Sequence, residues 1–306
     1  MRWSTACWEP TLVKQREDSL KVEIWSDVVC PWCHIGKRRF EEALSRFPHR
    51  DQVVVEWKSF ELDPGSKSSS ATEPSDASGY ARRLASKYST SQAEGEKMLA
   101  SMTAAAAVEG LDFRFDRAVV ANTFDAHQVI HLAAEHGIQD EVKERLLRAY
   151  FSEGEAVGDR GVLVRLAAEA GLDADEVRSA LVEQRFASAV RADEAEATAL
   201  GIRGVPFFVI DRSYGMSGAQ PAEQLLEVLQ RAWTEKYPLT FVGSAGDSAV
   251  CGPEAARSET AEHFRHRSSP AADRTTERTT PARLTASRPA DRAPTTVLDG
   301  GRPQRR

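Results

Sequence analysis

Cysteine is scarce in this chain, with four in 306 residues. So few thiols over that length exclude the dense disulfide framework that staples small secreted domains. No run of eighteen apolar residues occurs, so no membrane-spanning helix is expected. The first twenty residues contain Lys14, Arg16, Glu17 and Asp18 but no apolar stretch of the kind a secretory leader needs. A cytoplasmic protein is therefore expected, in a compartment where thiols stay reduced. Charge of one sign is not in large excess: the net value of −6 suits a soluble protein and selects no partner.

What is present is unevenly spread. Apolar, periodic sequence runs from about 20 to 242. Residues 21–27 read as a strand, rich in β-branched and aromatic side chains. Pro31 suits the first turn of a following helix, where Phe40, Ala43, Leu44 and Phe47 fall at i, i+3, i+4 and i+7. Residues 53–60 read as a second strand, apolar enough at its start to be a buried parallel one. These three elements make a βαβ unit. A Ser-, Pro- and Gly-rich loop spans 65–79, and from there to about Gly201 every segment has helical spacing. Strand character returns at 207–210 and 214–217. A last helix carries Leu225, Leu226, Leu229, Ala232 and Trp233 on one face. The order implies an α/β fold with a large all-helical insertion between its second and third core strands. The expected divisions are a loose N-terminal extension (1–19), a core (20–65 and 186–242), the insertion (66–185) and a disordered tail (243–306). From Arg257 onward that tail has eleven Arg and no Lys, with too little apolar surface to order itself.

The chemistry centres on Cys30-Pro31-Trp32-Cys33. Two thiols at this spacing, directly after a strand, read as redox or metal chemistry. Only a thiolate attacks a disulfide, and an ordinary thiol ionises at about pH 8.5. A helix N-terminus favours the anion through its unpaired N–H groups and dipole. Cys30 is therefore expected to be the exposed nucleophile. Cys33, one turn further in on the core-facing stripe, is expected to be the sheltered resolving thiol. Zinc would need four ligands where Cys30, Cys33 and His34 supply at most three, so no metal is expected. Pro206 precedes an apolar strand, where an interior ladder position would not tolerate it. If the Val205–Pro206 bond is cis, the Val205 backbone can face the Cys30 sulfur and pair with an extended substrate; a trans strand-entry proline is the alternative.

Five runs resemble, in order, the DsbA-like branch of the thioredoxin superfamily, specifically its FrnE-type subgroup. They are VEIWSDVVCPWC (22–33), SFELDP (59–64), NTFDAH (122–127), GVPFFV (204–209) and SGAQP (217–221). The likeness spans about 20–240. It implies a thioredoxin fold with an inserted helical domain, a nucleophilic Cys30, a resolving Cys33 and a cis Pro206. Pro31, Trp32, Val205, Pro206 and His127 are the expected substrate-binding residues. The implied activity is thiol–disulfide exchange, as reductase or isomerase, on protein or small-molecule thiols and disulfides. No cofactor beyond the Cys30–Cys33 disulfide is expected, with glutathione a candidate co-substrate. Two features depart from the pattern. Some relatives carry a second C-terminal cysteine pair, whereas Cys251 is followed by no other cysteine, and the Arg-rich tail has no counterpart. A neighbouring branch, the kappa-class glutathione transferases and 2-hydroxychromene-2-carboxylate isomerases, shares the architecture but typically has Ser where Cys30 stands. The dithiol favours exchange over that reading. It also favours exchange over a non-catalytic binding protein on the same fold.

Other polar residues have plainer readings. His34 is expected to face solvent on its helix. Glu23 could take a proton from Cys33 unless strand alternation turns it away. Asn122 and Thr123 look like helix N-caps. His127 and His131, at i and i+4, could clamp a metal, but Gln128 breaks the HExxH arrangement, so packing or surface roles are expected. The basic tail lacks interleaved aromatics beyond Phe264, and neither nucleic acid nor membrane is expected as a partner. A monomer or homodimer is expected.

Overall fold

A computed structural model describes residues 19–67 and 77–238. The N-terminal extension with Cys7, the middle of the 65–79 loop and the Arg-rich tail with Cys251 lie outside the described residues.

Four strands form one mixed sheet in the order β2-β1-β3-β4: β1 (Leu20–Ser26), β2 (Val53–Ser59), β3 (Phe207–Ile210) and β4 (Tyr214–Ser217). β1 runs parallel to β2, from Leu20 opposite Val53 to Ser26 opposite Ser59. Parallel neighbours require a crossover, and α1 (Pro31–Ser45) supplies it. β3 lies antiparallel on the other side of β1, pairing Val22 with Ile210 and Trp25 with Phe207. Six helices fill the interval between β2 and the last crossover: α2 (Ala77–Lys87), α3 (Gln92–Val108), α4 (Phe124–Glu135), α5 (Gln139–Arg148), α6 (Arg160–Glu169) and α7 (Ala174–Glu183). A single π-helical turn at Ala149–Glu153 continues α5. α8 (Ala187–Ala199) leads back to the sheet, and α9 (Ala222–Lys236) ends the described chain.

The two-residue period of β1 decides what each face of the sheet sees. Val22 and Ile24, with Phe208 and Ile210, are fully buried in the core shared with Phe40 and Ala43 of α1 and Leu225 and Leu229 of α9. Each such side chain contributes about 1.5–3 kcal/mol by leaving water. The alternate residues, Trp25 and Val209, pack with Ala197 of α8 and with Ile202. There the Trp25 indole N–H donates to the Asp193 carbonyl at 3.0 Å.

β2 departs from expectation. It is parallel but forms an edge of the sheet, and Val54 is 50% exposed. Its free backbone groups are taken by side chains from the helices. The Gln139 amide accepts from Trp57 N at 2.8 Å and donates to Trp57 O at 3.0 Å. Asp193 Oδ2 accepts from Ser59 N at 2.8 Å. The edge is thereby closed to strand addition without being central.

Candidate active site

β1 stops at Ser26, and the chain turns so that Cys30 N donates to Asp27 O at 3.3 Å. Cys30 caps α1 in extended conformation, and its carbonyl accepts from Cys33 N at 3.0 Å. Pro31 takes the first helical position, where a missing N–H forfeits nothing. The Val205–Pro206 bond is cis. The Cys30 sulfur lies 3.5 Å from the Val205 carbonyl oxygen, within reach as donor. In the second turn of α1, Gly36 lets this loop approach: a Cβ there would stand 2.9 Å from Pro206 Cγ.

Both cysteines carry free thiols and both are buried, Cys30 at 4% and Cys33 at 1% exposure. This corrects the expectation of an exposed Cys30. The insertion reaches over it, with Tyr80 of α2 and Tyr150 of the π-helical turn both buried beside the site. Trp32, between the two sulfurs in sequence, remains 37% exposed and is the motif's outward face. The two thiols titrate as a pair. Cys30 is pushed well up by the hydrogen bond it offers the Cys33 sulfur and by burial. Burial works against the Cys33 anion too, but the Cys30 hydrogen bond and the Lys143 ammonium outweigh it and hold Cys33 below the ordinary thiol range. The first negative charge forms readily on the pair and the second with difficulty.

Around the sulfurs sits a set of buried ionisable groups. Asp27, fully buried, accepts from Leu62 N at 2.8 Å through Oδ2, while its Oδ1 lies 3.5 Å from His127 Nε2. Burial opposes its charge, but the His127 contact prevails and holds the carboxyl below its usual range. His127 is thus buried beside the dithiol, not on the surface. Glu61 is buried as well, with one oxygen held by Arg191 and the other without a hydrogen-bond partner. Lys143 of α5 is 1% exposed, and burial pulls it down to about 8.

Three expectations are corrected or redistributed. His34 does not face solvent; it is 1% exposed, with its ring centroid 5.7 Å from Phe113 and 6.1 Å from Phe151. The insertion covers this side of α1, and burial lowers the imidazole's affinity for a proton despite Glu144 at 3.5 Å. Glu23 does not serve Cys33. Alternation places it on the α8 face, paired with Arg212 and Lys21. His131 meets Ser59 Oγ at 3.1 Å and Asp193 Oδ2 at 3.0 Å, so the two histidines engage different carboxylates. Among the described residues no three His, Cys, Asp or Glu side chains group as a metal site. Asn122 donates to Pro64 O and Ser66 O and accepts from Phe124 N at 3.1 Å, whereas Thr123 stands at the N-cap position of α4 without a side-chain cap bond.

Sequence reasoning assigned no role to Asp27 or Lys143. Asp27 lay inside the signature run without a visible partner. Lys143 did carry a signal: it stands three and four residues before Leu146 and Leu147, on the apolar stripe that continues to Tyr150. A lysine on such a stripe is either snorkelling or buried for a reason.

The chain matches the DSBA-like thioredoxin domain family over residues 21–230. A Streptomyces coelicolor protein, described as a probable DsbA oxidoreductase, is 45% identical with a TM-score of 0.65, covering 77% of this chain and 97% of that one. The Bacillus subtilis protein YwbO is 30% identical over 201 residues, 63% of this chain and 87% of that protein. A 2-hydroxychromene-2-carboxylate isomerase shares the fold at 14% identity and a TM-score of 0.52, covering 72% of this chain and all of its own.

Proposed function

The chain belongs to the DsbA-like thioredoxin domain family and is a thiol–disulfide oxidoreductase; from that premise we propose that Cys30 and Cys33 are its exchanging pair, working as a disulfide reductase or isomerase. The observation that carries this reading is the pair itself: two free thiols one helical turn apart at the N-terminus of α1, with Cys30 facing the Val205 carbonyl.

Cys30 passes its proton to Cys33 and, as thiolate, attacks one sulfur of a substrate disulfide; the S–S bond breaks, and the departing thiolate takes that proton, leaving Cys33 charged. Cys33 then attacks the Cys30 sulfur of the mixed disulfide, closing Cys30–Cys33 and releasing the second substrate thiol. An external thiol restores the dithiol by the reverse chemistry. Cys30 is assigned the first attack because it adjoins both the Val205 backbone and the solvent-facing Trp32, while Cys33 lies deeper. An extended substrate would pair with the backbone at Val205–Pro206 and lie against Pro31 and Trp32, with His127 reaching the cleft from below. The dithiol needs no further cofactor, and the shelter over Cys30 favours small thiols, glutathione among them, or loosely folded disulfide segments. We assign the FrnE-type subgroup on the five signature runs, and a cytoplasmic setting, which in turn favours the reductase or isomerase direction. We also divide the chain as a core of 20–65 and 186–242 around an insertion at 66–185. Among the described residues no helix is long and apolar enough to cross a membrane.

The test is insulin reduction together with turnover of glutathione disulfide, on wild type, Cys30→Ser and Cys33→Ser. Cys30→Ser should be inactive. Cys33→Ser should stall as a stable mixed disulfide, visible by intact mass. Glutathione-dependent isomerisation that survives Cys33→Ser, with no exchange by wild type, would replace this reading with the isomerase one.

A further inference from the structure

Lysine is almost never fully buried unless something pairs with it. Lys143 is 1% exposed, and it comes from α5 of the insertion, not from the strands and helix that hold the dithiol. Its ammonium lies 5.6 Å from the Trp57 ring centroid, over the ring face. The charges it meets are those of Cys33, Asp27 and Cys30, with Lys37 of α1 opposing. Lys37 is engaged by its own carboxylates, Glu41, Asp140 and Glu144. Asp27 is saturated on one oxygen by Leu62 N and faces His127 with the other, and Glu61 is held by Arg191. Of the acidic groups around Lys143, then, the sulfur pair has no other fixed cation assigned to it.

We propose that Lys143 is a positioning residue for the dithiol: its buried ammonium holds negative charge on the Cys33 sulfur and thereby sets how fast Cys33 resolves the mixed disulfide. This rests on the reading of Cys30 and Cys33 as the exchanging pair. In the step concerned, the Cys33 electron pair forms the bond to the Cys30 sulfur. The bond from Cys30 to the substrate sulfur breaks, and the leaving thiolate carries the pair away and takes a proton from water. Lys143 exchanges no atom or electron. When the disulfide has closed and both sulfurs are neutral, Asp27 stays behind as its counter-charge.

The experiment uses the full chain with Lys143→Met, which keeps length and removes charge, and Lys143→Arg, which keeps charge. Glutathione disulfide is the probe. Acid-quenched intact mass follows the mixed disulfide, and ultraviolet thiolate absorbance in a Cys30→Ser background follows Cys33 ionisation. The Met variant should move Cys33 ionisation upward by about one pH unit, which is about a tenfold loss of thiolate near neutrality. The mixed disulfide should live correspondingly longer, and Arg should stay within about threefold of wild type. Unchanged Cys33 ionisation in the Met variant overturns the proposal, and so does an equal slowing by Met and Arg, which marks packing alone. If wild type is not oxidised by glutathione disulfide and Cys33→Ser forms no mixed disulfide, the exchange reading has failed, yet the Cys33 titration still decides whether Lys143 holds its charge. Should the Met variant not fold, Lys143→Gln takes its place in both measurements.

Discussion

Burying the Lys143 charge works against folding, and the sign of that effect separates charge from packing. Its folded value of about 8 lies below the 10.5 of an exposed lysine. Between those two values the unfolded chain binds more protons than the folded one, so stability rises with pH across that window and is lowest below it. At pH 7 the shift is equivalent to about 3 kcal/mol against folding. Lys143→Met should therefore raise the calorimetric midpoint at pH 7 by several degrees while slowing resolution, and lowering it instead would mean that ion pairing exceeds desolvation. Gly36→Ala should do the opposite. Its methyl would press on Pro206 Cγ at 2.9 Å and Ala219 Cβ at 3.5 Å, both close to the Cys30 loop. Overpacking of this kind costs about 1–3 kcal/mol, and insulin reduction should fall further than stability does. At this scale the sequence disclosed the reacting sulfurs, since spacing and a helix start define them locally. The groups set beside those sulfurs were hidden, because Lys143 and the Asp27 partner His127 arrive from 94 to 113 positions away along the chain and only the fold brings them in.

Among elements, the α2–α3 pair brings the buried Tyr80 beside Cys30. Gly95 of α3 packs directly against the Ala81 carbonyl of α2, and no Cβ could occupy that point. On α2, Ala81 and Ala85 are buried at this contact, Tyr80 belongs to the core cluster and Leu84 packs against it. Gly95→Ala should push α2 outward, uncovering Tyr80 and the thiol beneath. Cys30 alkylation by iodoacetamide should then accelerate several-fold, and hydrogen exchange should quicken in α2 while β1 and β3 keep their protection. Loss of protection throughout the sheet would show that the hairpin is part of the main cooperative unit and not a cover for the site. The elements themselves were largely legible. β1, β3 and β4 fall within about a residue of their pattern-based limits, and α1 and α9 stand where their apolar stripes placed them, although α1 ends at Ser45, short of Phe47. The edge position of β2 was not legible. Its apolar start resembles a central strand, and the residues that close its edge, Gln139 and Asp193, lie in distant helices. The π-helical turn was equally silent, although it is what aims Tyr150 and Phe151.

At the scale of the whole molecule, the insertion and the core meet at one small group of charges, so the redox state of two sulfurs bears on the stability of the entire fold. In the reduced protein Cys33 is held below the ordinary thiol range, by the Cys30 hydrogen bond and Lys143 against burial. A group depressed in this way adds stability that is full above the unfolded value of 9.0 for a thiol and is lost as pH falls through the folded one. Cys30, pushed up, acts in the opposite sense only above that value. Below pH 9 the reduced form therefore gains stability as pH rises, and the gain disappears once Cys30 and Cys33 are joined, because neither sulfur then titrates. Lys143 contributes an upward slope in both forms, and in the oxidised form its window opens at lower pH because the neutral sulfurs no longer hold its proton. Melting curves of reduced and oxidised protein from pH 5 to 8.5 should show the difference between midpoints growing in favour of the reduced form. The same series in Lys143→Met should be flatter, since without the ammonium Cys33 returns toward an ordinary thiol. A pH-independent difference in wild type would mean that Cys33 ionises no more easily in the fold than outside it, and the charge link between insertion and dithiol would have to be abandoned.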